Sequence, residues 1–315
     1  MSESSIFTIR PFAFDADLPA LARLLSAIEA VDQEGEDVSE AGLRDQFAAW
    51  GTPPADGRWI APAPDDPMHF FGWGSVSRLP GESRADIQVA VHPDWRRRGL
   101  GNLLLDRLFA YLREQGVSAA GAYAASTNAD ANAFLRARGF QPVAAYTEMR
   151  APGERGYPAP DWPAGIAARA YATVNDLATL NRAFHQGYAG LWGHRTATDA
   201  QLGEWLADWT PDGIWLAFDG AGQVAGICRA ELSARLSARR GQPTGYIDAP
   251  GVIPAYRDRG LYLPLLLTAL AWLTEQQPTH IEMESWGDRP ETLALYADIG
   301  FVMARQALSY RLGLR

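Results

Sequence analysis

The chain carries a single cysteine, Cys228, and only five histidines in 315 residues. One cysteine excludes an intrachain disulfide and any paired-thiol metal motif. The histidines are scattered, without the HxxxH or HExxH spacing of metal sites, so no metal is expected. Positive charge is also scarce: 28 Lys and Arg face 37 Asp and Glu, a formal net charge of −9. A chain this acidic is a poor general binder of nucleic acid or of an anionic membrane, because neutralising phosphates takes a basic surface. Neither is expected as a partner. Long apolar runs are missing too. The longest, LYLPLLLTALAWL at 261–273, falls short of the roughly 20 residues that span a bilayer. The stretch MSESSIFTIR has no basic segment leading into an apolar core, so it does not read as a signal peptide, and a cytoplasmic location is expected.

What is present is ordinary globular composition, 47% hydrophobic and 21% charged, in a length that suits two domains. The chain also repeats itself. RPFAFDADLPALARLL from Arg10 and RAYATVNDLATLNRAF from Arg169 share an arginine, an aromatic two residues on, and an Asp-Leu pair. RRRGLG from Arg96 and RDRGLY from Arg257 stand 161 residues apart, as do the Gly-Phe pairs at Gly139 and Gly300. Landmarks in one order at nearly one offset mark a duplicated domain. The expected boundaries are 1–150 and 165–315, and the Pro- and Gly-rich 151–164 is expected to be a surface linker.

Each half shows the same order of elements: a strand, a helix opened by an acidic residue, a variable Trp-containing segment, and three strands. The Arg-Gly turn follows, then an apolar-striped helix, a strand, a short helix ending at Gly-Phe, and a last strand. The expected class is mixed α/β, a twisted mixed sheet in each domain with helices on both faces. The eleven tryptophans, among them Trp50, Trp59, Trp73, Trp192, Trp205 and Trp209, are candidates for core positions or for the wall of an apolar pocket.

HPDWRRRGLGNLL, residues 92–104, puts three arginines on a glycine turn at the mouth of a helix. Helix N-termini present unpaired N–H groups and partial positive charge, which suits an anion. Gly99 and Gly101 leave room for a phosphate to approach. Without G-K-[ST] it is not a Walker A loop, and it lacks the third glycine of a dinucleotide fingerprint. By itself it leaves a simple basic turn open as the lesser reading.

VAVHPDWRRRGLGNLLLDRL followed by NADANAFLRARGF resembles the GCN5-related N-acetyltransferase (GNAT) family, whose loop [QR]-x-x-G-x-[GA] is matched in full from Arg96 to Gly101. The resemblance covers both halves and is similar to the tandem, mycothiol synthase-like arrangement. It implies an N-acetyltransferase that passes an acetyl, or other acyl, group from acetyl-CoA to a primary amine. The implied acceptor is a small molecule; a non-catalytic CoA-binding module, or an enzyme acting on protein N-termini or lysines, stays open. Arg96, Arg97, Arg98, Gly99, Leu100, Gly101 and Asn102 are implied at the diphosphate, with Asn128 from the later motif. Val89, Ala90 and Val91 are implied along the pantetheine arm, on one of two splayed strands. Asp86 is the candidate base, or simply a solvent-facing strand residue. The family's tyrosine acid falls on Leu135, which has no proton to give, leaving water, Tyr123 or Ser126 as donors. In the second half Tyr296 holds that place, or packs in the core. There Asp258 and Tyr262 spoil the loop, and Arg289 replaces Asn128. The first half is therefore expected to bind the donor. Monomer and homodimer both stay open.

Overall fold

Leucines at 100, 104, 105, 108 and 112 make one apolar stripe, and all five are buried where residues Leu100–Glu114 coil into a helix against β-strands. A computed structural model describes residues 7–35, 37–49, 57–78, 82–191, 194 and 197–314. The first repeat runs β1 (Arg10–Pro11), α1 (Phe14–Asp32), α2 (Glu40–Ala49), β2 (Arg58–Pro62), β3 (Phe70–Ser77), β4 (Arg84–Val91), α3 (Leu100–Glu114), β5 (Ala119–Ala125), α4 (Ala129–Ala137) and β6 (Gln141–Pro152). The second runs β7 (Ile166–Ala170), α5 (Tyr171–Val174), α6 (Leu177–Gly187), α7 (Asp199–Asp208), β8 (Ile214–Asp219) and β9 (Val224–Leu232). It continues with α8 (Ala234–Arg240), β10 (Thr244–Asp248), β11 (Gly251–Val252), α9 (Tyr262–Glu275), β12 (His280–Trp286), α10 (Pro290–Asp298) and β13 (Val302–Gly313). No helix of the described residues is long and apolar enough to cross a membrane.

The chain packs as two units, Met1–Val143 with Ala307–Arg315, and Ala144–Gln306. In the first, β1 to β4 are antiparallel neighbours, β4 and β5 run parallel, and β5 pairs antiparallel with Ala307–Gly313 of β13. Helices cover both faces. Gly72 and Gly74 of β3 let Leu100, Leu104 and Leu108 of α3 approach, while Trp73 packs with Leu18, Leu21 and Leu25 of α1. The second unit repeats the plan: β7 to β10 antiparallel, β10 parallel to β12, and β12 antiparallel to Tyr146–Pro152 of β6. Its core is led by α9, with Leu265, Leu266, Leu270 and Leu273 fully buried.

The mixed α/β class with helices on both faces is thus as expected, but the units do not follow the repeat boundaries 1–150 and 165–315. Each repeat sends its last strand into the other unit's sheet. A strand edge offers the same row of N–H and C=O groups to any partner, so period-two patterning does not say which sheet it completes. Of the segment 151–164, residues 154–164 run over the surface with none buried. Ala151 and Pro152 finish β6, and Tyr157 and Trp162 pack on the second core. Trp59 and Trp73 are core residues. Trp205 meets Phe184 edge-on and Trp209 lies tilted against it. Trp50 and Trp192 lie outside the described residues.

Candidate functional site

The Arg-Gly turn of the first unit lies between β4 and α3. After a helical turn at Pro93–Trp95 the backbone becomes extended at Arg96, left-handed at Arg97 (φ 63°) and left-handed again at Gly99 (φ 88°). Left-handed residues at Arg97 and Gly99 break the regular run of the backbone and turn N–H groups of the loop toward a concavity suited to an anion. No side chain caps α3, so its first N–H groups add to that concavity. A Cβ on Gly99 would meet nothing within 4 Å, whereas one on Gly101 would touch the Phe134 ring at 3.5 Å. Leu100 is buried beneath the turn.

The three arginines are not equivalent. Arg96 donates to both carboxylate oxygens of Asp32, at 2.8 and 2.7 Å, and through Nε to the Val91 carbonyl at 3.2 Å. It is a strut between the end of α1 and the end of β4. Arg98 lies over the Trp95 ring at 4.6 Å, and Arg97 is exposed at the lip. Asn128 caps α4, its Oδ1 accepting from Ala131 N–H at 3.0 Å. Asn102, exposed in the first turn of α3, faces Arg138.

Strands β4 and β5 pair only from Arg84–Ala119 to Asp86–Gly121. Beyond that rung β4 continues to Val91 and keeps β3 on its other edge, with Gly74 opposite Val89, Trp73 opposite Ala90 and Gly72 opposite Val91. This is a splay, and Val89–Val91 border it. Asp86 stands at its last rung, and its carboxylate fills the space a side chain at Gly121 would need. Leu135 is buried, and Tyr123 is 45% exposed on β5.

In the second unit Arg257 repeats the strut, donating to the carbonyls of Val252 (3.0 Å) and Ala189 (2.5 Å). The loop itself departs from the first. Its helical turn extends from Pro254 through Arg259, so of its residues only Gly260 is left-handed. The concavity of the first loop is not reproduced. Tyr262 was expected to crowd a phosphate, but its hydroxyl turns inward and bonds that of Tyr296. Tyr296, fully buried, also donates to Asp288 at 3.0 Å. Burial, with Tyr262 and Asp288, holds the Tyr296 hydroxyl far above the usual tyrosine range. Arg289 sits at the N-terminus of α10 without capping it. Asp86 belongs to the first unit and Tyr296 to the second.

The second unit also holds a polar face that the motif reading missed. In β12, Ile281 and Met283 enter the core while Glu282 and Glu284 point to the opposite face. Glu148 of β6 lies opposite Glu284, and Asp248 of β10 is its parallel neighbour. Asp248 is gripped by Arg229 at 2.8 and 3.1 Å. Glu148 accepts from Arg305 at 2.7 Å and from the Tyr146 hydroxyl at 3.1 Å. At Glu284, hydrogen bonding from Tyr146 and Trp286 favours the charged form. Burial first, then the acids Glu148 and Asp248, raise its pKa above the carboxylate range. A cavity of about 180 Å³ opens between this face and α8. The only sequence signal was the strict alternation of HIEMESW. Among the described residues no three His, Cys, Asp or Glu side chains are grouped to hold a metal ion.

The family model described as acetyltransferase (GNAT) family matches the chain twice, at residues 22–140 and 175–301. A mycothiol acetyltransferase of Clavibacter sepedonicus is 30% identical over 256 residues, spanning 78% of this chain and 77% of that protein. One from a Nocardioides species is 28% identical over 297 residues, spanning 90% and 95%. The crystal structure of a GCN5-related N-acetyltransferase from Sphaerobacter thermophilus shares the fold with a TM-score of 0.77 at 22% identity, covering 99% of this chain and 96% of its own.

Proposed function

Since the chain belongs to the GNAT family and is an acyltransferase that takes its acetyl group from acetyl-CoA, we propose that the first unit holds the donor and that the acceptor is a primary amine of a small molecule. The observation that carries the donor assignment is the backbone of residues 96–101: left-handed at Arg97 and Gly99 and leading into an uncapped helix, where the matching loop of the second unit is helical. The N–H groups of this turn take the diphosphate, with Arg97 and Arg98 adding charge at its lip. Arg96 acts from behind by fixing the end of β4. Asn128 acts by holding the start of α4 beside the turn. The backbone of Val89–Val91, on the edge that β5 leaves at the splay, pairs with the pantetheine arm. A small-molecule acceptor is supported by the relatives' own name, mycothiol acetyltransferase.

In the reaction the amine arrives as ammonium and gives a proton to the Asp86 carboxylate at the last rung of the splay. The neutral nitrogen attacks the thioester carbonyl carbon. The carbonyl oxygen gathers charge and is stabilised by backbone N–H at the splay. The carbon–nitrogen bond forms, the carbon–sulfur bond breaks with its electron pair on sulfur, and the second proton, shed by the nitrogen as it becomes the amide, passes through water to the thiolate, since Leu135 has none to offer. In the second unit Tyr296 holds the place of the family's tyrosine acid, kept protonated by burial, Tyr262 and Asp288, and it takes no part in the first unit's step.

The test is direct. Acetyl-CoA raises the melting temperature of the wild-type chain, and Gly101→Trp, whose side chain is pressed between the turn and Phe134, removes that shift. Asp86→Asn keeps the shift and lowers thiol release with the best of a panel of small amines by about 10²-fold. An acetyl-CoA shift left intact in Gly101→Trp overturns the donor site. A panel with no turnover above hydrolysis overturns the acceptor class.

A further inference from the structure

Two charged residues among those described are buried, Asp17 at 2% exposed and Arg58 at 6%, both in the first unit. Asp17 has its counter-charge, since Arg10 donates to both of its carboxylate oxygens at 2.7 and 2.8 Å. Arg58 has no such partner among the described residues. Its guanidinium lies over the Phe47 ring of α2 at 4.1 Å, and its Nε is covered without a hydrogen bond. No described carboxylate pairs with it. Burial lowers its pKa to about 10, so it stays charged at neutral pH. A cation taken out of water without an anion is costly, and a ligand can supply the missing anion. Strand register shows what else shares its face. Arg58 of β2 stands opposite Ser75 of β3, and Ser75 opposite Gln88 of β4. Side chains two apart on a strand share a face, which puts Asp86 on the same side as Gln88. The adjoining pair on that face, Ile60 and Trp73, packs on α1. Gln88 is exposed, while Ser75 and Arg58 are buried. A polar row thus leads from the solvent side, beside Asp86, inward to an unmatched cation.

We propose that Arg58 receives a carboxylate of the acceptor, so that the small molecule acetylated carries an anionic group several bonds from its amine. A planar guanidinium and a carboxylate match through two parallel hydrogen bonds, which favours this anion over a halide or a lone hydroxyl. Adjacent strands lie about 4.8 Å apart, so the backbones of β2 and β4 are separated by roughly 10 Å. That separation, bridged in part by the arginine side chain, suits an acceptor of ω-amino acid or dipeptide length with its amine at Asp86. The inference rests on the reading of Asp86 as the amine's base and names the acceptor class for that site.

The probes are 6-aminohexanoate and glycylglycine, each beside its own carboxamide, which keeps the shape and removes the negative charge. With acetyl-CoA and the full wild-type chain at low salt, kcat/KM is expected to be at least about tenfold higher for each acid than for its amide, one charge-assisted contact being the difference. Arg58→Met replaces the buried charge by an apolar side chain. In it the acid falls to the level of the amide, and the fall appears in KM rather than kcat, because the contact is made equally before and during the reaction. Equal kcat/KM for acid and amide in the wild-type chain, or a preference for the acid left intact in Arg58→Met, overturns the proposal. The wild-type comparison decides the matter even if the variant does not fold. Absence of turnover with every amine overturns the acceptor reading and the Arg58 assignment together, whereas turnover without preference for the acid overturns the Arg58 assignment alone.

Discussion

Tyr310→Phe tests the exchange of terminal strands with the loss of one oxygen atom. Tyr310 lies on β13, 1% exposed, in the core of the first unit, and its hydroxyl donates to Oδ1 of Asn132 at 2.7 Å across 178 positions of sequence. Asn132 is 5% exposed. Its amide nitrogen donates to the carbonyls of Ala125 and Asn128, at 2.8 and 2.7 Å. One hydroxyl thus orients the amide that joins the end of β5 to the start of α4. Phenylalanine keeps the ring packing and leaves Oδ1 buried without its donor, a loss of about 1–3 kcal/mol. At about 2–4 °C per kcal/mol for a unit of 150–250 residues, the first unit should melt roughly 2–12 °C lower. The assay is calorimetry combined with hydrogen exchange resolved by peptide. Protection should fall in β5 and at the start of α4, with β10 and β12 unchanged. A shift below about 1 °C, or protection lost in β12 instead of β5, would refute the assignment of β13 to the first unit.

Two further outcomes follow from buried groups of the second unit. Glu284 has a raised pKa, so the folded chain binds its proton at higher pH than the unfolded chain does. Its destabilising effect is absent below the ordinary carboxylate range and grows as pH rises through the folded value. Glu284→Gln should therefore melt higher than wild type at pH 8 and together with it near pH 4, and a difference independent of pH between those limits would contradict this. Cys228 is fully buried, and burial first, then Asp248, pushes its thiol well above the usual range. Native protein should give no colour with a thiol-reactive disulfide reagent until denatured. A rapid signal of one thiol per chain in the native state would show the core around Cys228 to be open.

How much was legible in the sequence depended on the range of the interaction. The Arg-Gly turn was legible because a left-handed glycine and an uncapped helix are local events, written within about ten residues. The leucine stripe of α3 and the alternation of HIEMESW were legible for the same reason. The offset repeat exposed the duplication without any fold at hand. The roles of single side chains were less so. Arg96 read as a phosphate contact, and its strut to Asp32, 64 positions away, is a matter of where the end of α1 comes to rest. The second loop carried the same Arg, Gly and Leu as the first, yet its backbone stays helical through Arg259, and Tyr262 turns into the core.

The sequence by itself determined two copies of one mixed α/β plan, a basic glycine turn in an acidic chain, and family membership, since all of these rest on order, spacing and composition. Only the tertiary structure decided which strand closes which sheet, because edge strands offer interchangeable hydrogen-bonding rows. It also decided that Glu148, Asp248 and Glu282, three acids on neighbouring strands, each meet an arginine. That outcome depends on which arginines the packing of α8, β6, β9 and β13 brings within reach.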